Sequence, residues 1–262
     1  MKERIDILLV EKRLVESRSK AKWLIKNGYV LANKKQIIKP SKRIDKELEI
    51  QLIEEFPYVS RGGLKLEAAL KQFAISVKEK ICADIGVSVG GFTDCLLKHG
   101  ALKVYAIDTA TEILHPSLIC KKKQNKIVPI LGVDARNLIP VKEEVDICTI
   151  DVTFASLKSI LPNVKKILNK NGEILALVKP TFEIEFHECK KFRIIQDPKQ
   201  LFQILIKLIQ WSIKNQFFPY NIIKSPLLAK EGSSEFFIHL GVKKKGENLN
   251  FENLIKEMLK QN

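Results

Sequence analysis

The sequence has little cysteine and no pattern that would use it. Its five cysteines, Cys82, Cys95, Cys120, Cys148 and Cys189, are odd in number, far apart and never form a Cys-x-x-Cys pair. That leaves reduced thiols, with Cys82 and Cys148 expected inside strands. Histidine is as sparse, at four residues. His187-Glu188-Cys189 has ligand chemistry, but no further donors stand at a matching spacing, so no metal site is expected. No apolar run approaches the length that spans a bilayer. The first residues, Met1 to Asp6, place acids in their only apolar stretch and offer no small-residue cleavage site, so a cytoplasmic chain is expected, acting as a monomer without membrane contact.

Acidic residues are missing from one long stretch. Between Glu16 and Asp45 there are none, while Arg18, Lys20, Lys22, Lys26, Lys34, Lys35, Lys39, Lys42 and Arg43 accumulate, in a 262-residue chain of net charge +15. Arg18, Lys22 and Lys26 recur at i, i+4 and i+8, which sets them in one row along a helix and leaves that row without a local salt-bridge partner. A polyanion would gain from releasing its counterions to such a row. A merely solvated basic face is the alternative, and the apolar periodicity beneath the charges argues against it.

That periodicity defines a small module. Ile5, Leu8 and Leu9 share a helical face, Ser17 is placed to cap a second helix from Arg18 to Asn27, and Ala21, Leu24 and Ile25 form its apolar stripe. Gly28 ends the helix, and strand-like Tyr29-Val30-Leu31, a turn at Ala32 to Lys35, and Lys39-Pro40-Ser41 follow. These residues, with Arg4-x-Asp6-x-Leu8-Leu9 before them, resemble the alpha-L RNA-binding motif, the fold of ribosomal protein S-four. The resemblance implies recognition of RNA by shape and backbone, with Arg4, Arg18, Lys20, Lys22, Lys26, Lys34 and Lys39 as contacts and Arg61 beyond them.

From Leu64 onward the pattern changes. A helix is expected over Leu64 to Leu70, then strands at Ile81–Ala83, Lys103–Ile107, Lys126–Leu131, Val145–Ile150, Ile174–Val178 and Glu235–Val242. Between them fall helices at Phe92–His99, Ala155–Leu168 and Lys199–Asn215. The alternation predicts a doubly wound α/β sheet that binds ligands at strand C-terminal ends. The expected layout is residues 1–56 as the RNA-binding domain, 57–64 as linker, 65–243 as the sheet domain and 244–262 as an amphipathic tail.

The first strand of the sheet runs into Asp84-Ile85-Gly86-Val87-Ser88-Val89-Gly90-Gly91-Phe92. A glycine turn between strand and helix lets backbone approach a ligand. Its Gly-x-x-x-Gly-Gly spacing differs from the dinucleotide fingerprint, and an acid two residues before the first glycine is a habit of S-adenosylmethionine sites. Asp84, Gly86, Ser88, Gly90, Gly91 and Phe92 are therefore expected at the cofactor. Asp108, ending the next strand, would accept from ribose hydroxyls, and Asp134-Ala135 would lie near an adenine. Asp151 and Lys179 each end an apolar run with one ionisable group, at the place where an open sheet presents its site.

Taken together, the motifs resemble the TlyA (hemolysin A) family within the FtsJ-type ribose methyltransferases. They are Tyr58-Val59-Ser60-Arg61-Gly62-Gly63-Leu64-Lys65-Leu66, the Asp84 to Leu97 turn, Asp134-Ala135-Arg136-Asn137-Leu138, Ile150-Asp151-Val152-x-Phe154-x-Ser156-Leu157, Leu177-Val178-Lys179-Pro180-x-Phe182-Glu183, and Ser225-Pro226 with Glu235-Phe236. The resemblance implies a Rossmann-like S-adenosylmethionine-dependent methyltransferase sheet behind a small α+β RNA-binding domain. It also implies a cytidine ribose of large-subunit ribosomal RNA as substrate, with a second, small-subunit target in some members. Lys65, Asp151, Lys179 and Glu235 correspond to the family's catalytic tetrad. Such chemistry needs a base for the 2′-hydroxyl proton, for which a neutral Lys179 oriented by Asp151 is expected, with Lys65 and Glu235 positioning ribose and ammonium groups.

The chain departs from the family pattern at Val89, at Thr109-Ala110-Thr111-Glu112, over Ile184 to Ile195 and at Ser233-Ser234. Two rivals stand beside an enzyme: an RNA-binding protein that has lost turnover, and a membrane-active hemolysin. The apolar face of Phe251, Leu254, Ile255, Met258 and Leu259 suits the second, although packing against the sheet domain is the expected use of that face.

Overall fold

Ile5, Leu8 and Leu9 line one face of a short helix, and burying that face organises the first part of the chain. In the computed structural model, which describes residues 1–138, 140–184, 194–229, 232–245 and 249–260 (side chains 120–123 aside), the chain divides into two compact units, Met1–Arg61 and Gly62–Asn262. In the first, α1 (Ile5–Glu11) packs against α2 (Arg18–Lys26), whose Ala21, Leu24 and Ile25 are wholly buried with Ile5 and Leu9. Ser17 caps α2 by accepting from the Lys20 N–H, as its sequence position predicts. Two small antiparallel sheets complete the unit. One pairs β1 (Lys2–Arg4) with β4 (Arg43–Asp45); the other orders β3 (Lys35–Gln36), β2 (Val30–Ala32) and β5 (Ile50–Leu52).

The second unit is built on a sheet of seven strands among the described residues. After α3 (Arg61–Gln72) come β6 (Ile81–Ile85), α4 (Gly91–Lys98), β7 (Lys103–Asp108), α5 (Pro116–Lys123), β8 (Ile127–Leu131), a 3-10 turn (Ala135–Asn137), β9 (Val145–Ile150), α6 (Leu157–Val164), β10 (Leu168–Val178), α7 (Pro180–Glu183), α8 (Pro198–Lys214), β11 (Phe218–Lys224), β12 (Phe236–Gly241) and α9 (Phe251–Lys260). The spatial order is β11-β12-β10-β9-β6-β7-β8. Strands β8, β7, β6, β9 and β10 are parallel, while β12 runs antiparallel between β10 and β11. The parallel order reverses between β6 and β9, the place where a doubly wound sheet opens a crevice. Cys82 and Cys148 are buried in β6 and β9.

Two element boundaries correct the sequence reading. The helix expected to reach Leu168 ends at Val164, and β10 begins at Leu168 rather than Ile174, with an irregular register between Leu168 and Glu173. Helix α5 and strand β11 had no counterpart in the apolar pattern: α5 ends in three lysines, and β11 carries Pro219 with a shift in its pairing to β12. Helix α9 uses its apolar face as expected. Ile255 is wholly buried in the sheet-domain core, with Phe251, Leu254, Met258 and Leu259 packed around it. No helix among the described residues is long and apolar enough to cross a membrane. His187-Glu188-Cys189 lies outside the described residues.

Candidate active site

Strand β6 delivers the glycine turn, and the turn is fastened to its neighbours before any ligand is considered. The N–H groups of Gly86 and Val87 both donate to the Ile107 carbonyl, at 2.9 and 3.1 Å. Ser88 N–H donates to Asp108 Oδ2 at 2.8 Å. The same Asp108 accepts from Ala110 N–H through Oδ1 at 2.9 Å, so one carboxylate ties the glycine turn to the tip of β7. Gly86 has φ +81° and backs onto the next tip: a Cβ there would overlap the Asp151 carbonyl oxygen and lie 2.8 Å from its carbon. Gly90, at φ +96°, precedes α4, and a Cβ there would collide with Leu118 of α5. Both positions need glycine for conformation and for space.

Several residues expected at a cofactor hold the turn from within. Asp84 is 0% exposed, and its oxygens accept from the hydroxyls of Thr93 at 2.7 Å and Thr149 at 3.1 Å. Burial pushes its carboxyl up to about 7 against the pull of those hydroxyls. Its place is beneath the turn, without a surface to offer a ligand. Phe92 is likewise buried, stacked on Phe237 at 5.9 Å, and Ala135 belongs to the core; each can face a ligand through backbone alone. Asp134 remains accessible, but its carboxylate caps the 3-10 turn through Arg136 N–H and is gripped by the Arg136 guanidinium, whose hydrogen bonds hold it below its ordinary value.

The four ionisable residues expected to act together converge. Lys179, just past β10, puts Nζ 2.7 Å from Oδ1 of Asp151, just past β9. Oδ1 is itself buried, with no hydrogen-bond donor aligned on it, so the contact is a close ion pair with acceptor capacity to spare. Lys65, on α3, pairs with Glu235, which enters β12. Burial pushes the Glu235 carboxyl up, the Lys65 ammonium opposes this, and the charges of Asp151 and Lys179 also reach it. Two ion pairs drawn from positions 65, 151, 179 and 235 thus form one electrostatic cluster beside Gly86.

Aromatic residues at this edge were missed by sequence reasoning. Phe154 is 77% exposed, with φ +65°, and its ring lies 5.4 Å from that of Phe182. A bulky residue in left-handed backbone is uncommon and marks a segment shaped by its surroundings. Both residues fall inside motifs that the sequence displays, but spacing alone gave no sign that they meet.

In the first unit, the basic row needs a correction. Asp6, wholly buried, accepts from Arg4 at 2.9 Å and from Arg18 at 2.9 Å, and Lys20 pairs with Glu16 at 2.6 Å. Arg18 therefore has an acidic partner after all, twelve residues away, where spacing along its own helix does not look. Lys22, Lys26, Lys34 and Lys39 are exposed.

A strand-tip site on a switched parallel sheet, with a glycine turn and paired lysines and carboxylates, defines the methyltransferase class. Residues 58–242 match the FtsJ-like methyltransferase family and residues 3–50 the S4 domain. YqxC of Bacillus subtilis, named for rRNA methyl transfer, is 38% identical over 97% of this chain and 92% of its own. The 16S/23S rRNA (cytidine-2′-O)-methyltransferase TlyA of Mycobacterium tuberculosis is 31% identical over 90% of this chain and 89% of its own. A solved structure from Streptococcus thermophilus that carries a hemolysin name aligns with a TM-score of 0.72 at 34% identity, covering 99% of this chain and 95% of that one. The chain belongs to the FtsJ-like methyltransferase family, with relatives named TlyA, and it carries an S4 domain at residues 3–50.

Proposed function

We propose that this protein methylates the 2′-hydroxyl of a cytidine ribose in ribosomal RNA. The observation that carries the reading is the meeting of Lys65, Asp151, Lys179 and Glu235 beside the Gly86 turn. When bound, S-adenosylmethionine supplies an electrophilic methyl group. The residues present suit it: Gly86 and Gly90 let the turn close tightly against the Asp151 peptide and Leu118, Asp108 stands at the tip of β7, and Asp151 keeps an unmet acceptor on a buried oxygen.

Lys179, once its ammonium has released a proton to solvent, takes the proton from the ribose 2′-oxygen as that oxygen attacks. Asp151 fixes the direction of the Lys179 amine and steadies the ammonium that forms. Lys65, held by Glu235, supplies positive charge to the ribose side, and their burial keeps water from diluting it. The exposed ring of Phe154 offers a face on which an unstacked base can lie. The S4 unit brings basic side chains to the RNA backbone, Lys22, Lys26, Lys34 and Lys39 through exposed ammonium groups and Arg4 and Arg18 in a geometry preset by Asp6. Arg61 would add to them at the junction. The hemolysin reading loses the support of α9, because the amphipathic face of that helix is occupied by its own domain.

The test is methyl transfer from tritiated S-adenosylmethionine to ribosomal subunits, with the label mapped to its nucleotide. The natural sequence is expected to label a cytidine ribose, and Lys179→Ala to lose roughly 10²-fold or more in rate with donor affinity within about threefold by calorimetry. Donor binding without transfer by the unmutated chain would identify a non-catalytic binder instead.

A further inference from the structure

The parallel ladder between β9 and β10 stops short of the chemistry. Its last paired residues are Ile150 and Ala176, whereas Asp151 and Lys179 lie beyond them. Another contact crosses that gap. Glu183, in α7, is almost wholly buried, and it reaches over to the start of α6. Its Oε2 accepts from the Ser156 hydroxyl at 2.6 Å and its Oε1 from the Leu157 N–H at 2.8 Å. Ser156 in turn caps α6 by accepting from Lys158 N–H. Glu183 follows Lys179 by four residues, and Ser156 follows Asp151 by five.

A carboxylate this deep is costly: burial pushes the Glu183 carboxyl up, and its two donors only oppose that. A helix N-terminus needs no such group, since Ser156 already caps α6. We infer that Glu183 is a positioning residue for the methyl-transfer reaction: it locks the segment after β9 to the segment after β10, and thereby sets the separation of Asp151 and Lys179. The Phe154–Phe182 ring contact lies inside the same clamp. The inference rests on the reading of Lys179 as the base.

The test compares single-turnover methyl transfer and donor affinity in the full chain for the natural sequence, Glu183→Ala, Glu183→Gln, Ser156→Ala, Asp151→Ala and the doubles that combine Asp151→Ala with Glu183→Ala or Ser156→Ala. Glu183→Ala is expected to slow transfer by roughly 10- to 100-fold, the scale of an ångström of misplacement, with donor affinity within about threefold. Glu183→Gln should recover most of the rate, because an amide still accepts from Leu157 and the Ser156 hydroxyl can turn to accept from it. Each double should be no slower than Asp151→Ala alone, as expected of groups acting through one another. Should Glu183→Ala fail to fold, Ser156→Ala carries the same comparison with a smaller loss. Losses that multiply in the doubles, or a Glu183→Ala rate equal to that of the natural sequence, overturn the inference alone. A natural-sequence protein that transfers no methyl group overturns the proposed function with it.

Discussion

Gly86 shows how little room the strand tips leave. Its positive φ and the Asp151 peptide behind it mean that Gly86→Ala must strain the turn, at roughly 1–2 kcal/mol, and also push the Asp151 peptide away. We expect that variant to fold with a lowered melting temperature and to bind S-adenosylmethionine at least about tenfold more weakly, measured by calorimetry. Asp84 makes a prediction of the opposite kind, about pH. The folded chain keeps its proton up to about 7, while an aspartate ordinarily releases it near 3.8. The unfolded state therefore binds fewer protons between those values, and stability from this group is full below 3.8 and falls as pH rises toward 7. Asp84→Asn removes the titration, so its melting temperature relative to the natural sequence should climb from pH 4 to pH 7; a constant difference would show that Asp84 titrates normally. Asp151 and Lys179 were legible because each ends an apolar run with a charge, whereas Lys65 and Glu235 were reached only through the family resemblance. Thr93, Thr149 and Glu183 were not assigned roles, because a hydroxyl or a glutamate acquires one only through a partner 9, 65 or 26 residues away.

At the scale of elements, period decided what could be read. Strands β6, β7 and β9 are continuous apolar segments with buried faces on both sides, and their places followed from composition alone. The start of β10 did not, since Asn169-Lys170-Asn171-Gly172 looks like a turn and falls in the irregularity between the Leu168–Val145 and Glu173–Ile147 pairs. Helix α9 was legible as an amphipathic stretch, and packing against its own domain was the expected use of its face. Ile255→Asp places a charge where the core now holds a fully buried side chain. We expect a loss of about 3 kcal/mol or more, read as a drop in the denaturant midpoint. Methyl transfer at low temperature should stay near the natural rate, since α9 contributes nothing to the tetrad.

For the molecule as a whole, a net charge of +15 makes RNA affinity a function of salt. The logarithm of the binding constant should fall linearly with that of the salt concentration. Replacing Lys22, Lys26 and Lys34 by alanine should flatten the slope by about 2, at roughly 0.7–0.9 per phosphate contact, with donor affinity unchanged; an unaltered slope would remove those lysines from the interface. The order of the sheet bears on how the active site is completed. Strand β12 is the last in sequence, yet it lies between β10 and β11, with Glu235 at its entrance. A chain in which β12 has not docked therefore has an unfilled slot between β10 and β11 and half an ion pair in its active site. Closing that slot and completing the Lys65–Glu235 ion pair are therefore one and the same folding event.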